Sequence, residues 1–251
     1  MVEGEFLNGT RALLLQNRCL GRPAAPFAKF YLAWYAPKRP VSLGGVMSRR
    51  ISLVLALLLA GCTHSAAVSV SPAVNVYSGY ADLVPGKYAL FIDDRVFDAR
   101  ADKAAFECSG HKYPIDARVA FRESAIQTAS NVFESVEVVD EPLKGSRLSE
   151  RGFSGIVVLE GTLFQPKLDV DANFWSADAE ASVEVGVLAE VFSLEKRLLT
   201  SRVGATGRGE KNVGAFCSGG GKALSKAAEA GIREALERTA ERIANSGELR
   251  P

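Results

Sequence analysis

The chain has 251 residues, 47% of them apolar and 24% charged, with 30 basic against 29 acidic side chains and a formal net charge of +1. That balance, with no basic stripe interleaved with aromatics, argues against nucleic acid as a partner. Two histidines and four cysteines leave little material for a metal centre.

Residues 1–46 hold Pro23, Pro26, Pro37 and Pro40 among short apolar pieces, with Glu3 and Glu5 as the only acids. They are expected to be a mis-called upstream extension, the alternative being a long n-region or cytoplasmic tail. From Met47 the sequence changes character: Arg49 and Arg50 precede a ten-residue apolar run, Ile51 to Ala60, followed by Gly61 and Cys62. A bilayer-spanning helix needs about 20 apolar residues, so this run reads as an export signal, residues 47–61, rather than a permanent span. The arginine pair matches the twin-arginine pattern only loosely.

Leu59-Ala60-Gly61-Cys62 resembles the lipobox of bacterial lipoproteins. The resemblance covers about 16 residues and implies cleavage before Cys62 and acylation of that cysteine, including by palmitate. Thr63 stands where an aspartate would mark inner-membrane retention, so the resemblance implies an outer-membrane lipid anchor with the domain in the periplasm. Eight basic and two acidic residues precede Cys62, leaving 22 basic against 27 acidic in residues 62–251, about −5.

Residues 62–86 are small and polar and read as a tether, with an edge strand through Val68, Val70, Val74 and Val76. A single domain is expected over 87–244, followed by a tail, 245–251. Tyr88 to Ile92 is a core strand closed by Asp93 and Asp94, and Phe106 to His111 a short strand entering a turn. Asp116 is expected to cap a helix from Ala117 to Phe133. Ser135 to Asp140 reads as a strand, then an exposed loop holds Pro142, Gly145 and Ser146. Gly155 to Phe164 is a second strong strand.

Ala181, Val183, Val185, Val187, Ala189 and Val191 alternate with polar residues, the signature of an antiparallel sheet covered on one face. A turn at 194–197 leads to a partner strand from Leu198 toward Thr206. Glycines 204, 207, 209, 214 and 219–221 suggest a mobile connection before a helix, Leu224 to Ala244, whose face at Leu224, Ala228, Ile232, Leu236, Ala240 and Ile243 is apolar. The order implies an α+β fold, a mostly antiparallel sheet packed against two helices. That order resembles the accessory-lipoprotein sandwich of envelope assembly and transport-auxiliary proteins.

Cys108 and Cys217 are the candidate disulfide in an oxidising compartment; reduced core cysteines or a thiol nucleophile are the alternatives. Cys108, His111 and Cys217 make an incomplete zinc set, so no metal and no cofactor is expected. Asp93 with Asp94, and Asp169 with Asp171, are carboxylate pairs that read as polar strand ends rather than acid/base sites. Gly219 to Lys222 departs from the phosphate-loop pattern at Ala223. Phe174 and Trp175, set among small polar residues, are the candidate partner contact, or fold back over a sheet end. The expected function is a noncatalytic binding or scaffold subunit of an envelope machine, with an envelope protein partner. A carrier of lipid or small hydrophobic ligands, with a deep cavity between helices and sheet, is the alternative, and an envelope hydrolase a further one.

Overall fold

The computed structural model describes residues 66–68, 76–103, 112–172, 177–212, 217 and 219–250. All lie in the second of two compact units, Gly61–Pro251. The main sheet contains β2 (Val84–Asp93), β4 (Asp102–Lys103), β6 (Phe133–Val138), β7 (Gly155–Ala172), β8 (Ala177–Ser193) and β9 (Arg197–Asn212). Its main path runs β6-β2-β7-β8-β9, with β4 joining β7 beyond the end of β2. A second, small sheet orders β1 (Ala66–Ala67), β5 (Pro114–Asp116) and β3 (Asp98–Arg100).

The sheet is mixed, which corrects the mostly antiparallel expectation. β2 is parallel to both β6 and β7, while β7, β8 and β9 are antiparallel neighbours. The parallel half arises because helix α1 (Arg118–Ser130) returns the chain across the sheet before β6, as parallel pairing requires. The structure supports an α+β fold with a mixed sheet against helices, and nothing in it specifies the accessory-lipoprotein sandwich.

The strand alternation in β8 is as the sequence implies: Ala181, Val183, Val185, Val187, Ala189 and Val191 are all buried on one face. Helix α3 (Gly219–Ala244) covers that face of β8 and β9 and packs beside α1. It begins five residues earlier than the periodicity implied, so Gly219 to Gly221 are helix, and Gly204, Gly207 and Gly209 belong to β9 rather than to a loop. Gly207 and Gly209 lie in β9, where a Cβ would stand 1.9 Å from the Ala227 carbonyl oxygen and 2.2 Å from that of Ala223. At the helix start, a Cβ on Gly220 would meet the Tyr113 ring at 2.8 Å and Leu168 at 2.9 Å. These glycines let helix and sheet backbones close together.

Pro114–Asp116 is strand rather than helix approach, and Ala117 holds the N-cap position of α1 without a side-chain bond. Asp116 still serves the helix start, accepting the Arg118 amide at 3.1 Å and the Arg118 guanidinium at 2.5 Å. Phe133, expected at the helix end, opens β6. Within the segment read as a tether, Ala66 and Ala67 pair with Ile115 and Asp116. Residues 77–83 are strapped to the chain's end: Gly79 donates to Asn245 Oδ1, Asn245 donates to the Tyr77 carbonyl, and Arg250 donates to the Asp82 carbonyl and stacks on Tyr80.

Candidate functional site: an apolar groove on the open sheet face

The face turned away from α1 and α3 is built differently at its two ends. Toward the Ala172 end it carries Gln165, Lys167, Asp169 and Glu180, all exposed. At the other end Ala89, Ile156 and Phe153 join Val139, Leu143 and Leu148 in a second apolar cluster, with half-buried Phe91, Val158 and Phe192 against it. The short helix α2 (Ser146–Glu150), where the sequence implies a loop, supplies Leu148.

This added wall is held by charge as well as contact. Glu137 pairs with Lys87 at 2.7 Å and with Arg151 at 2.6 Å, and both cations lie over the Phe153 ring. The Lys87 ammonium, with Arg151 adding to it, holds the Glu137 carboxyl below its usual range.

Between this wall and the β8–β9 turn lies a groove of about 570 Å³. Its floor is Ile156 and Val158 of β7 and Phe192 of β8; Pro142 to Gly145 and Leu148 form one side, and Ser193 to Arg197 the other. Ser193 fixes the turn, its hydroxyl accepting the Lys196 and Glu195 amides at 3.1 and 3.3 Å. Leu194 projects from it, 42% exposed. Arg197 pairs with Glu190 at 3.1 Å, whereas Lys144, Lys196 and Glu195 make no ion pair among the described residues. The size and the apolar floor with a few polar rim groups are those of ligand sites.

On the helix-covered face the interior beside α1 is filled, while at the β9 edge Glu234 and Arg238 of α3 and Gly204 to Thr206 line a polar recess of about 390 Å³. The cavity between α1, α3 and the sheet is about 10 Å³, room for one water molecule, and is lined by Leu159, Leu236 and Ile243 among others. The space that the described residues leave between α1, α3 and the sheet is too small for the ligand of a carrier.

The residues singled out from sequence fall elsewhere. Cys62, Cys108, His64, His111, Phe174 and Trp175 lie outside the described residues. No disulfide joins two described residues, Cys217 being the one cysteine among them; Cys108, its expected partner, lies outside them. Cys217 is not a free thiol, which removes the nucleophile reading; its carbonyl accepts the Tyr113 hydroxyl at 2.8 Å. No helix among the described residues is long and apolar enough to cross a membrane.

Asp93 ends β2, and Asp94 follows it outside the strand with a different partner. Asp93 is bound by Arg95, whose hydrogen bonds hold its carboxyl below the usual range, and Asp94 pairs with Arg122 at 2.9 Å. Both are structural ion pairs. Asp169 faces Glu180 across the strands without forming a pocket. Among the described residues no three His, Cys, Asp or Glu side chains are grouped to hold a metal ion. Gly219 to Gly221 are buried, leaving no phosphate cradle.

The groove itself was missed in the sequence. Its signals were present but ambiguous: Phe192 and Val158 sit on the polar-patterned face, and Leu143 and Leu148 lie in a segment punctuated as loop.

No family model matches the chain, and no curated protein matches it by sequence. Among solved structures it is similar to a Xanthomonas campestris protein at 10% identity and TM-score 0.36, over 73% of this chain and 92% of that one. A minor lipoprotein of Acinetobacter baumannii is similar at 10% identity and TM-score 0.34, over 65% and 93% of the two chains. A PelC dodecamer of Paraburkholderia phytofirmans follows at 14% identity and TM-score 0.29, over 66% and 96%. These are weak likenesses to bacterial proteins, and at such scores none of them carries an argument about fold or function.

Proposed function

We propose that this is a lipid-anchored, noncatalytic binding subunit of the outer membrane's periplasmic face, serving an envelope assembly or transport machine, and that it holds an envelope component in the open-face groove. The observation that carries this reading is the contrast between the two sheet faces: an interior between α1, α3 and the sheet with room for about 10 Å³, and an open face where a built wall borders about 570 Å³ over apolar side chains. The strand-end carboxylates are held by structural partners, Asp93 by Arg95 and Asp94 by Arg122, which supports binding rather than acid/base chemistry at that pair.

The anchor supports the same reading. Cys62 precedes Ala66 by four residues, a reach of no more than about 14 Å. Ala66 is paired beside β5, and β5 adjoins Tyr113, which packs with Leu168 around Gly220. Leu168 faces Ala181, eleven residues along β8 from Phe192, or about 36 Å of strand. Acylation at Cys62 therefore confines the domain to a surface while the groove opens at the opposite end, raising the effective concentration of a membrane-associated partner.

A photo-crosslinking residue at position 194 in the host tests this. A discrete adduct from position 194 and none from position 119 on exposed α1 is the expected result; no adduct from 194 overturns the reading.

A further inference from the structure

Resting on the groove as the binding surface, we infer that its occupant is a single-chain anionic amphiphile, a long-chain fatty carboxylate, with the tail along Val158 and Phe192 and the head between Lys144 and Lys196. The floor decides the first half. It consists of strand interiors whose backbone groups are already committed, β7 pairing with β2 and β8, and β8 with β7 and β9. A peptide laid there would bury amides with no partner on the floor, whereas an acyl chain brings no polar group that needs one. The volume of about 570 Å³ lies within the range of small-ligand sites.

The rim decides the second half. Lys144 and Lys196 stand on opposite walls, exposed and without ion pairs among the described residues, while Arg197 is neutralised by Glu190. With Glu195 as the remaining rim carboxylate, one net positive charge is left to meet one carboxylate head. The carrier reading thus moves from the helix–sheet interior, which is full, to the open face.

The test uses the full-length protein in membranes of the producing cells, labelled by light with diazirine-bearing palmitate and mapped by mass spectrometry. Adducts are expected on peptides carrying Leu143 to Leu148 and Phe192 to Lys196. The double variant K144E/K196E is expected to lower them about tenfold, the corresponding diazirine alcohol to label about tenfold less, and Phe192→Asp to abolish them. Both lysines are exposed on loops, so the double variant leaves the fold intact. Labelling spread over exposed sites such as Val119, or equal for acid and alcohol, overturns the inference. If position 194 crosslinks to a protein while palmitate labels nothing in the groove, this inference fails and the binding reading stands; if 194 crosslinks to nothing, the binding reading fails first.

Discussion

Gly207 of β9 and Gly231 of α3 meet backbone to backbone: a Cβ on Gly207 would stand 2.3 Å from the Gly231 nitrogen. No side chain can yield there, so Gly207→Ala is expected to destabilise the domain by about 3 kcal/mol. Gly204, three residues earlier in the same strand, has nothing within 4 Å of its Cβ position. Gly204→Ala is expected to stay within about 0.5 kcal/mol of the parent. Urea midpoints of the two variants check the contrast, and equal midpoints would remove the close-approach account.

Thr128 Oγ1 is buried with no hydrogen-bond partner among the described residues, beside the small cavity between α1 and α3. Replacing it by the similarly shaped valine removes an unsatisfied hydroxyl, so Thr128→Val is expected to stabilise by about 1 kcal/mol. A lower melting temperature for this variant would show that the hydroxyl has a partner in solution.

How much of this was legible in the sequence depends on whether one element decided its own geometry. The stripe from Ala181 to Val191 fixed strand and buried face together, because period two admits one arrangement. The apolar stripe of α3 was equally plain from Leu224 onward. The mixed character of the sheet was not, since nothing local in Val136 or Ile156 states which way a neighbouring strand runs. The glycines misled for a physical reason: at 207, 209 and 220 the same lack of a Cβ that marks a turn permits close packing instead. The groove is assembled from three separate segments, Pro142–Leu148, Ile156–Val158 and Glu190–Arg197, and such convergence leaves no pattern along the chain.

Burial pushes the Tyr113 hydroxyl up to about 12, and it donates to the Cys217 carbonyl. A folded-state value above the ordinary 10 contributes stability that is full below pH 10 and is lost as pH rises toward 12. Stability measured across that window is therefore expected to fall in the parent and to fall less in Tyr113→Phe, which at neutral pH loses about 1 kcal/mol with the hydrogen bond. Identical alkaline limbs in the two proteins would place the titration elsewhere.

At the acid end the sign reverses. Arg95, Arg118 and Lys87 hold the carboxyls of Asp93, Asp116 and Glu137 below their usual values, so these pairs contribute stability above the ordinary carboxylate range that is lost as pH falls through the depressed values. Glu137→Gln is expected to loosen the groove wall specifically, seen as faster amide exchange at residues 148–153 with the β8–β9 core unchanged. Unchanged exchange at 148–153 would mean that apolar contact alone holds the wall.

The tethered groove is tested most directly by photo-crosslinking from position 194 in host membranes, comparing the parent with Cys62→Ser at equal protein levels. The adduct is predicted to form in the parent and to drop at least about tenfold once the anchor is gone, because the effective concentration at the membrane is lost. An adduct of undiminished yield from Cys62→Ser, or none from either protein, would contradict a lipid-anchored domain that works through this groove.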